Sequence, residues 1–251
     1  MKKIVAVIPA RWASTRFPGK PLAKILGKPL VQHVWERCCE AEGLDAAIVA
    51  TDDMRIAQVA FDFGAEVSIT KPSHQTGTDR LGEVAERLRD VSHLINVQGD
   101  EPAIDPGLIS ELVLTLRQEP KIRMITASAA FPKSADLSNP NHVKVITDLH
   151  GDAIYFSRSP IPYPRSHTAA ARPRHHLGIY GYEVRFLKEF VAWQPTPLEQ
   201  AESLEQLRAI EHGVKIRVIQ AETRSTGVDT PEDVGAAAKD LRALARRRAA
   251  K

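Results

Sequence analysis

Cysteine is nearly absent from the chain: 251 residues hold two, Cys38 and Cys39, side by side. A vicinal pair makes neither a useful structural cross-link nor a four-ligand zinc site. Leu30, Val34 and Cys38 fall four apart, which assigns Cys38 to the inner face of a helix. Aromatic residues make up only 6%. With so few, no charged face with interleaved aromatics can form, and a nucleic-acid module is disfavoured. The charge excess is small, +3, and part of it is the run Arg246-Arg247-Arg248, which reads as a solvated, basic tail at 246–251. No apolar run approaches a membrane span, and the apolar part of the opening residues is too short for a signal peptide, so a cytoplasmic protein is expected. There is no G-x-S-x-G elbow and no isolated cysteine with a partner, which removes support for a covalent nucleophile. With no repeat, low-complexity segment or clear linker, residues 1–251 read as one domain.

What is present begins at the amino terminus. The apolar run Ile4 to Ile8 opens into Pro9-Ala10-Arg11-Trp12-Ala13-Ser14-Thr15-Arg16-Phe17-Pro18-Gly19-Lys20. A buried strand ending in a loop with three fixed positive charges, hydroxyls and a glycine suits a polyphosphate at the carboxyl end of a parallel sheet. The loop carries no acid of its own. It is not the P-loop pattern, because Gly19-Lys20 lacks the glycine five positions earlier and is followed by Pro21. Lys20 would act as a point charge on phosphate oxygens, and Arg11 and Arg16 as forked donors.

Strand-like and helix-like runs alternate through the first half. Ile4–Ile8 precedes a helix near Leu30–Glu42; Ala46–Thr51 precedes one near Ile56–Phe63. A short strand at Val67–Ile69 leads to a helix that Thr78 and Asp79 can cap, and Leu94–Val97 precedes Gly99-Asp100-Glu101-Pro102. This rhythm implies an α/β fold with a mostly parallel sheet and helices on both faces. The second half is less regular. Strands are expected at Met124–Phe131, Val143–Thr147, Ala153–Phe156, Leu177–Tyr182 and Lys215–Ile219. A proline-dotted stretch from Ser159 to Pro173 reads as a loop or lid. One helix is expected from Leu198 to Glu211 with Ala201, Leu204, Leu207 and Ile210 inward, and Thr230-Pro231 opens a last helix.

Two acids stand at strand or turn ends. Asp100 follows a buried strand and Gly99. Asp229 lies in Gly227-Val228-Asp229-Thr230-Pro231, where capping the helix and binding a metal are equally open. Together they could hold Mg²⁺ against a triphosphate that supplies the remaining oxygens. Gln98-Gly99-Asp100-Glu101 departs from the D-x-D arrangement of metal-dependent sugar-nucleotide glycosyltransferases. A third constellation is His176-Leu177-Gly178-Ile179-Tyr180-Gly181-Tyr182, in which glycines alternate with large side chains and permit close approach. With Ser157-Arg158 it offers donors suited to a polyhydroxylated acid; an apolar core strand with a satisfied histidine is the other reading. His175 is expected at the surface.

The blocks Ile8-Pro9-Ala10-Arg11-x-Ala13-Ser14-Thr15-Arg16-x-Pro18-Gly19-Lys20-Pro21, Gly77-Thr78-Asp79-Arg80, Asn96-Val97-Gln98-Gly99-Asp100-Glu101-Pro102, Tyr155-Phe156-Ser157-Arg158, His176 to Tyr182, Leu204-Glu205-Gln206-Leu207-Arg208 and Gly227 to Asp233 occur in this order. In this the chain resembles the 3-deoxy-manno-octulosonate cytidylyltransferases, the CMP-Kdo synthetases. The resemblance covers nearly the whole chain apart from the basic tail. It implies a Rossmann-like nucleotidyltransferase sheet with a smaller irregular dimerisation lobe, within about residues 125–185. It also implies a cytosolic, Mg²⁺-dependent homodimeric enzyme that activates Kdo for lipopolysaccharide assembly. Carried over by motif, Ala10, Arg11, Ser14, Arg16, Lys20, Arg80 and Gln98 would hold CTP. Gln98, Arg158, His176, Tyr180, Glu205 and Gln206 would surround Kdo, and Asp100 and Asp229 would bind Mg²⁺. Lys20, Asp100 and Asp229 would be catalytic, which requires the cationic loop and two distant carboxylates to converge.

Overall fold

The computed structural model describes residues 2–13, 16–132, 134–166, 172–222 and 227–249. The chain divides into two compact units, residues 1–120 with 224–251, and residues 121–223.

The first unit is built on four parallel strands. β1 (Lys3–Ala10) is buried from Ile4 through Ile8, as a strand covered on both faces should be. A small hairpin, β2 (Lys24–Ile25) and β3 (Lys28–Pro29), leads into α1 (Leu30–Cys39), whose inner face is Leu30, Val31, Val34 and Cys38. Cys38 is thus core, as its spacing predicts, and burial pushes its thiol pKa far up. β4 (Ala46–Thr51), α2 (Met54–Asp62), β5 (Glu66–Ile69), α3 (Gly77–Arg87), β6 (Val91–Asn96) and α4 (Pro106–Gln118) follow.

β1 pairs with β4 on one side and β6 on the other, and β4 pairs with β5, all parallel. The chain therefore runs outward from β1 in one direction and returns on its other side at β6. β1 and β6 are thus neighbours in the sheet although far apart in sequence, and such a switch in strand order is the place where α/β sheets open a ligand crevice.

α3 starts earlier than the sequence suggests. Its N-cap is Thr76, whose hydroxyl accepts from the Asp79 N–H while Asp79 accepts from the Thr76 N–H. The reciprocal pair outcompetes Thr78, which lies inside the first turn and is buried. α4 and the hairpin had no counterpart in the sequence reading; the hairpin strands are too short to show any periodicity.

The second unit comprises β7 (Met124–Ala130), β8 (Lys144–Thr147), β9 (Ala153–Ser157), β10 (Arg174–Glu183), α5 (Val184–Ala192), α6 (Pro197–Glu202), α7 (Gln206–Glu211) and β11 (Ile216–Ala221). β7 pairs parallel with β11 and antiparallel with β10; β8 joins β10 and β9 antiparallel. The single helix expected over 198–211 is two. Ser203 takes a left-handed conformation, φ 50°, that ends α6, so the register breaks before α7. Ala201 is consequently exposed, while Leu204, Leu207 and Ala209 are buried. The chain then returns to the first unit with α8 (Val234–Ala249).

Candidate functional site

A cavity of about 380 Å³ opens in the first unit at the carboxyl ends of β1 and β6. It is lined by Pro9, Ala10, Arg11, Arg16, Lys20, Arg80, Gln98, Gly99, Asp100 and Asp229, with His74, Thr76 and Gly77 from the approach to α3. All described CTP and metal candidates of the sequence reading therefore face one space. Ser14 lies outside the described residues.

The loop after β1 is closed by its own backbone and by Trp12. The Gly19 N–H donates to the Trp12 carbonyl at 3.1 Å, and Gly19 has φ 70°, a conformation costly for any other residue. A Cβ there would sit 3.0 Å from the Trp12 ring, whose centroid lies 3.3 Å from the Arg55 guanidinium carbon. Trp12 therefore has a packing role that its position in the motif did not reveal. The turn hands the chain to a short 3₁₀ segment, Lys20–Leu22, and buries Pro21. The second loop is held just as closely. A Cβ on Gly99 would come within 2.5 Å of the Pro9 carbonyl oxygen, so the β6 loop can approach β1 only with glycine at this position.

At one end of the cavity four charges touch. Lys20 Nζ donates to Asp100 Oδ2 at 2.7 Å and lies 3.5 Å from Asp229 Oδ1; Arg16 reaches the same Asp229 oxygen at 3.2 Å. The loop's lack of acids is thus made good by carboxylates 80 and more than 200 residues away. A backbone bond between them, from the Val228 N–H to the Asp100 carbonyl at 2.8 Å, fixes the two segments side by side.

Capping does not occupy Asp229. Thr230 is the N-cap of the turn Pro231–Asp233, and Asp233 accepts from the N–H groups of Asp229 and Thr230 at 2.9 and 2.8 Å. These bonds, the Thr230 N–H first, hold the Asp233 carboxyl below the usual range. The Asp229 side chain is left on the cations.

Among the described residues no group of three or more His, Cys, Asp or Glu side chains could cage a metal ion. Two carboxylates on one wall are instead a partial shell of hard oxygens. They fit a Mg²⁺ that takes most of its ligands from phosphate and water.

Elsewhere in the cavity, Arg80 is almost fully buried; its guanidinium bonds the Thr70 hydroxyl and lies 3.4 Å from Asp52 Oδ2. Arg11 donates to the Gln75 carbonyl at 3.3 Å. His74, Thr76 and Asp52 were not singled out in the sequence. Asp52 directly follows the apolar run Ala46–Thr51, but nothing in the sequence paired it with Arg80.

The expected sugar residues, apart from Gln98, belong to the second unit. His176 is half-buried, its Nε2 3.1 Å from the Thr126 hydroxyl, with Phe156 and Tyr180 ring centroids at 5.0 and 5.3 Å. Desolvation, helped by His175, pushes its pKa down to about 3. Burial likewise drives the Tyr180 hydroxyl well above its ordinary value, with Tyr182 and Glu205 adding to the shift.

Arg158 is turned to the main chain: it donates to the carbonyls of Glu202, Pro140 and Ser203 at 2.6, 2.9 and 3.2 Å. Gln206 is buried, and among the described residues its Nε2 finds no partner; Glu205 is half-buried. His175, expected at the surface, is half-buried instead and packs against Phe131 and His142 at 5.1 and 5.4 Å. β10 pairs with β7 on one side and β8 on the other at this residue, so its neighbours cover it. Residues 167–171 of the expected lid lie outside the described residues.

The cytidylyltransferase family model matches residues 5–216. The 3-deoxy-manno-octulosonate cytidylyltransferase of Syntrophotalea carbinolica is 49% identical, covering 96% of this chain and 99% of its own. That of Geobacter metallireducens is also 49% identical, over 92% of this chain and 95% of its own. The solved structure of a CMP:2-keto-3-deoxy-manno-octonic acid synthetase complexed with CTP superposes with a TM-score of 0.89 at 42% identity, covering 98% of this chain and 99% of that one. Strand order, the closed cationic loop and these likenesses agree, and the chain belongs to the 3-deoxy-manno-octulosonate cytidylyltransferases, nucleotidyltransferases of the cytidylyltransferase family.

Proposed function

We propose that this chain transfers CMP from CTP to the anomeric hydroxyl of Kdo, releasing pyrophosphate, and that the first-unit cavity holds the nucleotide. The observation that carries the reading is the contact of Lys20 with both Asp100 and Asp229. A lysine held between two carboxylates needs little rearrangement to receive a triphosphate. Phosphate oxygens replace the carboxylates around its ammonium, and the freed carboxylates face the same oxygens.

In this reading Lys20 and Arg16 neutralise the β- and γ-phosphates and then the charge that grows on departing pyrophosphate. Such stabilisation, aimed where charge develops, is usually the largest single contribution to catalysis. Arg11 adds a cation from the exposed side, and Ala10, Gln98 and Arg80 line the remainder of the nucleotide. Asp100 and Asp229 would hold Mg²⁺, which when bound supplies a Lewis acid against phosphate charge and lowers the pKa of an attacking hydroxyl. No side chain stands out as a dedicated base. For Kdo the proposal keeps Gln98, Arg158, His176, Tyr180, Glu205 and Gln206. His176 would serve as a neutral hydrogen-bonding group, because its low pKa excludes an imidazolium at neutral pH. Homodimeric assembly and a cytoplasmic location are proposed on the same family likeness.

Pyrophosphate release, measured with each nucleoside triphosphate against Kdo and other acidic sugars with Mg²⁺, tests this directly. The CTP and Kdo pair is expected to react fastest. Preference for another acid overturns the sugar assignment, and no release with any pair overturns the reaction.

A further inference from the structure

Contacts divide the cavity wall into two groups. Arg16, Lys20, Asp100 and Asp229 touch one another. Away from them, Gly77 packs on Pro9, where a Cβ would meet the ring at 3.2 Å, and Arg11 bonds the carbonyl of Gln75, next to His74. If the charged group takes phosphates, the second wall is left for the base. The inference therefore rests on the CTP reading.

His74 lines the cavity, and its partner Glu83 does not. His74 Nε2 lies 2.6 Å from Glu83 Oε2, and that same oxygen accepts the Lys71 backbone N–H at 2.8 Å. An oxygen of an ionised carboxylate can only accept, from the amide and from the ring nitrogen alike. Burial works against the Glu83 charge, yet the Lys71 N–H, the His74 ring and the Arg87 guanidinium together hold its pKa below the usual glutamate value. Glu83 is therefore an ionised acceptor, and Nε2 carries the proton. In the neutral ring Nδ1 must then bear a lone pair. Among the described residues Nδ1 has no hydrogen-bond partner.

We propose that His74 is a base-specificity residue whose Nδ1 accepts a hydrogen bond from the exocyclic amino group of cytosine, and that Glu83 positions it by fixing the tautomer. An acceptor at this point distinguishes a 4-amino pyrimidine, which donates, from a 4-oxo pyrimidine, which presents a second acceptor. A site built to bond one such group rejects the analogue lacking it.

The test is pyrophosphate release by the full chain with Kdo and three nucleotides: CTP, UTP and pyrimidin-2-one ribonucleoside triphosphate, which lacks the amino group. The wild-type protein is expected to lose at least about tenfold in kcat/KM from CTP to the amine-less analogue. His74→Leu should use the two alike and prefer CTP over UTP at least about tenfold less than wild type. Glu83→Ala should weaken the CTP preference in the same way. Glu83→Gln should retain it, because its amide oxygen can still accept from Lys71 N–H and Nε2. A wild type indifferent to the amino group overturns the proposal by itself, whatever the folding of the variants. So does a His74→Leu protein slowed equally on all three nucleotides, which would mark His74 as a packing residue. Release with CTP but an unchanged preference sinks only the base assignment; no CTP-dependent release by wild type sinks the functional reading and this inference with it.

Discussion

In the first unit, Arg16 and Asp229 pair across a gap open to water, their side chains 66% and 53% exposed, and Lys20 joins them to Asp100. In the second unit, Lys144 is fully buried and donates to the carbonyls of Asn139 and Arg158, while Arg158 itself grips three more carbonyls. Both sets combine long cations with oxygen acceptors, yet they differ in what can replace the acceptor. A carboxylate partner on a mobile, solvated side chain exchanges readily for a phosphate. A main-chain carbonyl does not move without its chain segment. Charged side chains in the first cluster should therefore report on ligand and turnover, and those in the second on folding.

The largest effect that would sharpen this contrast is on Asp100. Asp100→Ala is expected to lower kcat by on the order of 10²-fold or more, the scale of a lost electrostatic stabiliser. Its melting temperature should shift by no more than about 4 °C, because a half-exposed ion pair contributes about 0–1 kcal/mol. Steady-state rates and calorimetry on one preparation decide it. Near-wild-type turnover in Mg²⁺ would remove Asp100 from the chemistry. Lys20→Ala should follow, with kcat/KM for CTP falling about tenfold or more and the KM for Kdo moving less. Unchanged CTP kinetics would take Lys20 out of the nucleotide site and break the comparison at its first term.

The same contrast explains what could be read from the chain beforehand. β1, β4 and β6 were legible because fully buried parallel strands are short apolar runs, and their loops announced themselves by charge. That Asp100 and Asp229 meet Lys20 followed from motif likeness. Spacing alone could not show it, since the bond joining Val228 to Asp100 links residues 128 apart. The functions of Asp52 and Glu83 were hidden for the same reason: each depends on a partner brought by tertiary folding. The helix break at Ser203 was invisible because its apolar positions keep a helical period across a residue whose φ alone departs. Arg158 shows the limit most clearly, a guanidinium in a sugar-enzyme motif whose three nitrogens each donate to a main-chain carbonyl.

A smaller, stability-based effect tests the second unit. Lys144→Met keeps the length of the stem but removes the donor shared by Asn139 and Arg158. Losing the bonds to these part-buried acceptors costs about 1 kcal/mol, visible as a lower urea midpoint with unchanged slope. CTP binding by the folded fraction should be unaltered. A variant as stable as wild type would show that burial of the ammonium, which already lowers its pKa, cancels what its bonds contribute.

The smallest effect separates the two units by pH. The pKa of His176 in the folded chain is pushed down to about 3 by burial, against about 6.5 in the unfolded chain. Between these values the unfolded state binds the proton and the folded state does not. The stability from keeping His176 neutral is therefore fully present above about pH 6.5 and drains as pH falls toward 3. The slope is at most about 1.4 kcal/mol per pH unit for one group. His176→Gln can still donate to Thr126 but has no proton to gain. Its stability gap to wild type should narrow steadily from pH 7 to pH 4.5. Asp136 and Asp148, whose carboxyls are held below the usual value by hydrogen bonds, keep their charge in the folded chain over this range and affect both proteins alike. Urea midpoints at four pH values suffice. Parallel curves would mean that His176 takes up a proton in the folded state as easily as in the unfolded chain, and its surroundings in β10 would then resemble the solvated cluster around Arg16.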